Sequence, residues 1–244
     1  MRIQVFNTYQ EISREAAILI AEKIRNKPGL VLGLATGSTP LGVYQELIQM
    51  HRDQTLDFSQ VTTFNLDEYV GLPPDHPQSY HYFMWENLFK HININPSQVN
   101  IPDGMAQNID SHCEWYENQI KKAGGIDLQL LGIGANGHIA FNEPGSSLGS
   151  LTRIKPLTLK TIKDNARFFN SEDEVPKSAI TMGINTIMNA HEIVLLANGK
   201  NKAQAVKSMI EGPISTSCPA SILQMHRKAT IFLDKESAGD LRIQ

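Results

Sequence analysis

The chain of 244 residues carries only two cysteines, Cys113 and Cys218, without a CxxC pair or histidines beside them at zinc spacing. That scarcity excludes a disulfide framework and a structural zinc site, and it makes a reducing, cytoplasmic setting the expectation. Long apolar runs are missing too. The longest, such as Ile193 to Ala197, fall far short of the roughly 20 residues that cross a bilayer. The start Met1-Arg2-Ile3-Gln4-Val5 lacks the apolar core of a signal peptide, so no membrane partner is expected. No block of five or more basic residues occurs, and 22 Lys and Arg stand against 25 Asp and Glu. Nothing there would hold a nucleic-acid backbone. Hydrophobic residues at 41%, with 17 Gly and 12 Pro, are the proportions of a folded globular chain and not of a disordered or fibrous one.

What the sequence does have is an alternation of two periods. Thr8 followed by Glu11 reads as a capping box, after which Ile12, Ala16, Leu19, Ile20 and Ile24 recur at helical spacing up to Pro28-Gly29. A short strand at Ile3–Phe6 precedes this helix. Continuous apolar runs of strand length follow at Gly29–Ala35, Val61–Leu66, Ile126–Leu131, Ile193–Ala197 and Ala229–Leu233. Helical stretches are expected near 79–90, 109–123, 178–190 and 201–211, and Thr39-Pro40 reads as an N-cap with proline at the first helical position. The aromatics Tyr80, Tyr82, Phe83 and Trp85 are expected to pack in the core. Strands buried on both faces and separated by helices imply an α/β fold: one domain over residues 1–244, an open, mostly parallel sheet, doubly wound and Rossmann-like, with helices on both faces.

In such sheets ligands bind beyond the carboxyl ends of the strands, so the turns after the apolar runs carry the chemistry. Ala35-Thr36-Gly37-Ser38-Thr39-Pro40 is a small-residue turn opening a helix, suited to an anion or, more simply, to a tight turn with a hydroxyl cap. It lacks the lysine of a Walker loop. Asp67 and Glu68 follow the third run at a place that suits a general base; extended chain sends neighbours to opposite sides, so at most one of them faces the site. Gly132-Ile133-Gly134-Ala135-Asn136-Gly137 matches GxGxxG, but Pro144 interrupts the segment behind it, and Lys155 and Lys160 stand where a ribose-binding acid is needed. A dinucleotide is therefore not expected. What remains is a glycine-lined loop bringing His138 and Glu143 together as a proton-transfer pair. Arg167 and Lys202 are the best-placed cations for a phosphate monoester.

Four segments in order, Leu-Ala-Thr-Gly-Ser-Thr-Pro (34–40), Phe-Asn-Leu-Asp-Glu-Tyr-Val-Gly-Leu (64–72), Leu-Gly-Ile-Gly-Ala-Asn-Gly-His-Ile-Ala-Phe-Asn-Glu-Pro (131–144) and Thr-Arg-Ile-Lys (152–155), closely resemble the glucosamine-6-phosphate deaminases. The resemblance spans nearly the whole chain. It implies conversion of glucosamine 6-phosphate and water to fructose 6-phosphate and ammonia in amino sugar catabolism, with no metal or organic cofactor. His138 supported by Glu143 would open the pyranose ring, Asp67 would be the base at C2, and Gly37, Ser38, Thr39, Arg167 and Lys202 would hold the phosphate. Asn136 stands where many members have an Asp; an amide can orient His138 by hydrogen bonding but shares no negative charge with it. Longer members are hexamers activated by N-acetylglucosamine 6-phosphate at a site matching Ser146, Arg153 and Lys155. Here Pro156 replaces a Thr and the C-terminal segment of those members is absent, so a monomer or small homo-oligomer without that activation is expected. The rival readings are a 6-phosphogluconolactonase and a sugar-phosphate-sensing effector domain; the second needs a helix-turn-helix, for which the sequence before the first strand leaves no room.

Overall fold

Thr8 accepts a hydrogen bond from the Glu11 amide while the Glu11 carboxylate accepts one from the Thr8 amide. The expected capping box thus opens α1 (Tyr9–Asn26), which buries Ile12, Ala16, Ile20 and Ile24 along one face. The computed structural model describes residues 1–157, 169, 171 and 174–242. In it β1 (Arg2–Phe6), β2 (Val31–Leu34), β3 (Thr62–Asn65), β5 (Val99–Asn100), β6 (Leu128–Gly132), β9 (Glu192–Ala197) and β10 (Ala229–Asp234) form one sheet. Its order is β1-β10-β9-β6-β2-β3-β5 and every neighbouring pair is parallel.

Parallel strands need cover on both faces, and the alternation along β2 supplies both contacts. Leu32 and Leu34 pack with Ile20 of α1, Tyr44 and Leu47 of α2 (Leu41–Arg52) and Met84 of α3 (Tyr80–Asn87). Val31 packs on the other side with Tyr116 of α4 (Ile109–Lys122), Ile187 of α5 (Ile184–Met188) and Met209 of α6 (Ala203–Glu211). This is the doubly wound α/β arrangement the apolar runs imply. Among the described residues no helix is long and apolar enough to cross a membrane.

Three local expectations are corrected, and a second sheet appears that the apolar runs did not suggest. The strand expected near Val61–Leu66 is β3, and after Leu66 the chain enters β4 (Asp67–Tyr69), which belongs to a second, antiparallel sheet with a strand at Ser178–Thr181 in the middle and one at Arg153–Pro156 on its far side. The stretch 178–190 is strand β8 (Ser178–Thr181) followed by the short α5, not one helix; Ile180, Ile184 and Ile187 mimic a helical spacing, but Gly183 between them is extended and sits against the Ser150 carbonyl. β7 (Arg153–Pro156) completes that sheet. Helix α2 starts at Leu41 with Pro40 at its N-cap and no side-chain cap, because the Tyr9 hydroxyl takes over by accepting from the Gly42 amide at 2.8 Å and donating to the Thr39 carbonyl at 2.9 Å. In α3 it is Met84 that is buried, while Tyr82 is exposed and Tyr80 only partly covered.

Gly104 closes one side of β4: a Cβ there would lie 2.0 Å from the Tyr69 carbonyl oxygen, a backbone atom that cannot yield without moving the strand. Gly104→Ala is expected to cost about 1–3 kcal/mol as an overpacking substitution. Urea unfolding checks this, with Gly149→Ala as a control, since a Cβ there would meet nothing nearer than 4.0 Å; equal midpoints for the two variants would refute the placement of β4.

Candidate active site

The carboxyl ends of β2 and β6 lie side by side, and the chain diverges from them, β2 leading outward to β3 and β5, β6 to β9 and β10. Crevices of this kind arise where strand order reverses. A cavity of about 560 Å³ opens there, lined by the turn after β2, by Leu66 and Asp67, by the loop after β6, and by Tyr80, Asn201 and Lys202.

Of the two adjacent carboxylates, only Asp67 lines this cavity. It pairs with Thr181 at the start of β4, is buried, and receives no hydrogen bond from the described residues. Burial, reinforced by the neighbouring charge of Glu68, raises its pKa to about 8. Glu68 points the other way and accepts three backbone N–H bonds, from Tyr69 at 2.8 Å, Tyr80 at 2.9 Å and His81 at 2.8 Å. Burial still outweighs those bonds and lifts its pKa to about 7.

His138 lies over the backbone of its own loop. The turn closes through Gly134 N–H to the His138 carbonyl and Gly137 N–H to the Gly134 carbonyl, both at 2.9 Å. A Cβ on Gly134 would fall 2.2 Å from the imidazole Cε1, so only glycine leaves room for the ring. His138 Nδ1 faces Glu143 Oε1 at 3.5 Å, beyond hydrogen-bond length but within ion-pair reach. Asn136 makes no hydrogen bond to the imidazole. Its Nδ2 donates to Glu143 Oε2 at 2.6 Å and its Oδ1 accepts from the His138 backbone amide at 3.2 Å, so the amide orients the carboxylate and the loop, not the ring. Two residues after His138, Ala140 holds φ at 51°, a strained conformation for a side chain that lines the cavity.

Another part of the lining combines the turn before α2 with Lys202. Gly37 has φ of +92°, which lets the turn before α2 fold tightly, and Gly37, Ser38 and Thr39 line the cavity. The Tyr9 hydroxyl braces this turn from outside. Lys202 ends a single helical turn after Gly199 and has no acidic partner among the described residues; desolvation lowers its pKa. The Asp234 carboxylate pins that turn by accepting from the Gly199 amide at 3.0 Å and from the Ser237 amide at 2.8 Å. Arg167 lies outside the described residues. Ser146, Arg153 and Lys155 do not line the cavity; Arg153 donates to the Asn142 side chain at 2.9 Å. Among the described residues no group of three or more His, Cys, Asp or Glu side chains is placed to hold a metal ion.

Residues 7–232 match the family described as glucosamine-6-phosphate isomerases/6-phosphogluconolactonase. The chain belongs to that family. It is 56% identical over 239 residues to a glucosamine-6-phosphate deaminase of Thermoanaerobacter sp. (strain X514), covering 98% of this chain and 94% of the relative. A second deaminase, from Clostridium botulinum (strain Langeland), is 52% identical over 244 residues and the full length of both chains. A solved structure described as a monomeric glucosamine-6-phosphate deaminase superposes with a TM-score of 0.96 at 47% identity, covering 99% of this chain and 100% of that one.

In this member of the isomerase/lactonase family, motif reading did not single out Tyr9, Tyr80, Asn201 or Asp234. Only Asn201, beside Lys202 after a Gly turn, carried a local signal. The folded Asp67 keeps its proton to about pH 8 whereas an unfolded aspartate loses it near 3.8. The group therefore favours folding fully at low pH, and that contribution is lost as pH rises through about 8. Asp67→Asn is expected to be more stable than the wild type, by a margin that grows between about pH 5 and about pH 9. Thermal melts across that range test it; a margin that shrinks with pH would contradict the burial of an uncompensated carboxyl.

Proposed function

We propose that the chain is a glucosamine-6-phosphate deaminase, converting glucosamine 6-phosphate and water to fructose 6-phosphate and ammonia. One observation carries the reading: a buried carboxyl of raised proton affinity, Asp67, shares a cavity with the His138–Glu143 pair and with a turn and a lysine suited to a phosphate. A lactonase has no use for a base over C2, which favours the deaminase over lactone hydrolysis.

In this reading the phosphate sits against the turn Gly37, Ser38 and Thr39 at the start of α2 and on Lys202, with Arg167 as a further cation. Its binding energy orients the sugar without taking part in the chemistry. His138, beside the Glu143 carboxylate, moves the anomeric hydroxyl proton while the C1–O5 bond breaks and O5 gains a proton, leaving a C1 aldehyde. The C2–H is now acidic. Asp67 removes it, giving an enolamine, and returns a proton to C1, giving a C2 imine. Water adds at C2 and ammonia leaves, so the product is the ketose. The substrate's ammonium favours the ionised form of Asp67, which turns a protonated carboxyl in the empty cavity into a base in the filled one. The enzyme works as a monomer or small oligomer, in keeping with the monomeric relative.

Purified protein is expected to release ammonia from glucosamine 6-phosphate. Asp67→Asn, nearly isosteric but unable to accept a proton, is expected to lower kcat by about a hundredfold or more. Lys202→Ala is expected to raise KM by about tenfold or more with a smaller change in kcat, and unphosphorylated glucosamine to be a very poor substrate. Near-normal turnover by Asp67→Asn would remove Asp67 as the base. An unchanged KM in Lys202→Ala would move the phosphate elsewhere.

A further inference from the structure

Glu68 is a buried acid beside the cavity that the reaction leaves unused. Its oxygens gather the Tyr69 amide of its own strand and the Tyr80 and His81 amides, the first two N–H groups of α3. The Ser79 hydroxyl accepts from the third, that of Tyr82, at 3.0 Å. Helix N-termini leave such donors without intrahelical partners, so Glu68 joins the helix start to the base-bearing strand. The residue fixed by this joint is Tyr80. Its ring lines the cavity, stacks on Phe141 with centroids 6.1 Å apart at an interplanar angle of 4°, and lies 4.8 Å from Tyr69. Phe141 belongs to the loop that carries His138. Glu68 thus sits where the strand of Asp67, the helix of Tyr80 and, through the ring stack, the loop of His138 are tied together.

We propose that Glu68 is a positioning residue of the reaction: by capping α3 it holds the Tyr80 wall against the His138 loop, and its charge beside Asp67 keeps that carboxyl a strong enough base. This rests on the deaminase reading. Three N–H donors make Glu68 the better place for a negative charge, so it ionises before Asp67, to which the described residues offer no donor, and the second proton then leaves against an existing charge. The other groups around Asp67 do not compete for this role. The Tyr44, Tyr80 and Tyr116 hydroxyls, from α2, α3 and α4, are held neutral by burial well beyond the working range, and Lys202, His138 and Glu143 stand around the same cavity. Asp103 faces Glu68 and adds to the negative charge on that side.

The test compares Glu68→Gln with Ser79→Ala in the whole protein. Glutamine keeps one acceptor oxygen but loses the charge; Ser79→Ala removes a different cap of the same helix and leaves Glu68 intact. Glu68→Gln is expected to move the acid limb of the kcat/KM profile down by about one pH unit and to lower kcat by about tenfold, with the affinity for inorganic phosphate unchanged. Ser79→Ala is expected to lower the Tm without moving the limb. The carboxyl of Asp67, followed by NMR in carbon-13-labelled free protein, should titrate lower in Glu68→Gln, a readout that stands even if the wild type fails to act on glucosamine 6-phosphate. The proposal is overturned if Glu68→Gln leaves both the limb and the Asp67 titration in place, or if Ser79→Ala moves them as far.

Discussion

Leu66 donates its amide hydrogen to the Leu34 carbonyl in the parallel sheet and accepts one from the Met182 amide next to the antiparallel sheet, at 2.7 Å. Two sheets are joined through the peptide groups of a single residue, and the cavity follows from that joint. Because β3 cannot continue past it, the chain turns at the carboxyl edge of the large sheet and presents Asp67 where ligands of such sheets bind. Because β4 is then paired with β8, the alternation of side chains is fixed, and Glu68 must face away toward α3. The same β8 accepts the Phe141 amide on the Thr181 hydroxyl at 3.1 Å, and the Met182 carbonyl behind it accepts from the Asn142 side chain at 2.8 Å. The strand of the base and the loop of the imidazole are therefore held by one short strand.

The site trades stability for chemistry at several of these points. A buried carboxyl that the described residues leave without a hydrogen bond, a non-glycine residue in the left-handed region at Ala140, and a partly desolvated lysine without an acidic partner among the described residues are each unfavourable on their own. They cluster around one cavity, and a phosphorylated amino sugar would relieve two of them. Its phosphate meets the lysine and its ammonium meets the carboxyl.

Local signals are what made the fold legible. The capping box at Thr8 and Glu11 spans one turn, and the apolar runs of β2, β6, β9 and β10 are buried on both faces, so neither depends on distant contacts. The turns after β2 and β6 could be located for the same reason. What escaped the sequence depends on partners far along the chain. The antiparallel sheet is made of three short strands from separate regions, and Ile180 of β8 stands at helical spacing from Ile184 and Ile187 of α5, a pattern that suits one continuous helix equally well. Asp67 could not be chosen over Glu68 without knowing that β4 pairs with β8. Tyr9 reads as an ordinary first-turn residue of α1, although its hydroxyl holds the turn before α2. Asn136 was expected to orient His138 by hydrogen bonding; its side chain does so through the His138 backbone amide and also holds Glu143, a partner that spacing does not reveal.

The central claim is that one fixed, buried carboxyl moves protons at two adjacent carbons. The most direct measurement is turnover of glucosamine 6-phosphate in deuterium oxide, with the product's C1 hydrogens resolved by NMR. A group held on one face of the enolamine can deliver a proton to that face only, so deuterium should enter a single prochiral position at C1, in at most one atom per molecule. Label distributed equally between the two positions would mean that solvent, and not Asp67, reprotonates C1, and would contradict the account.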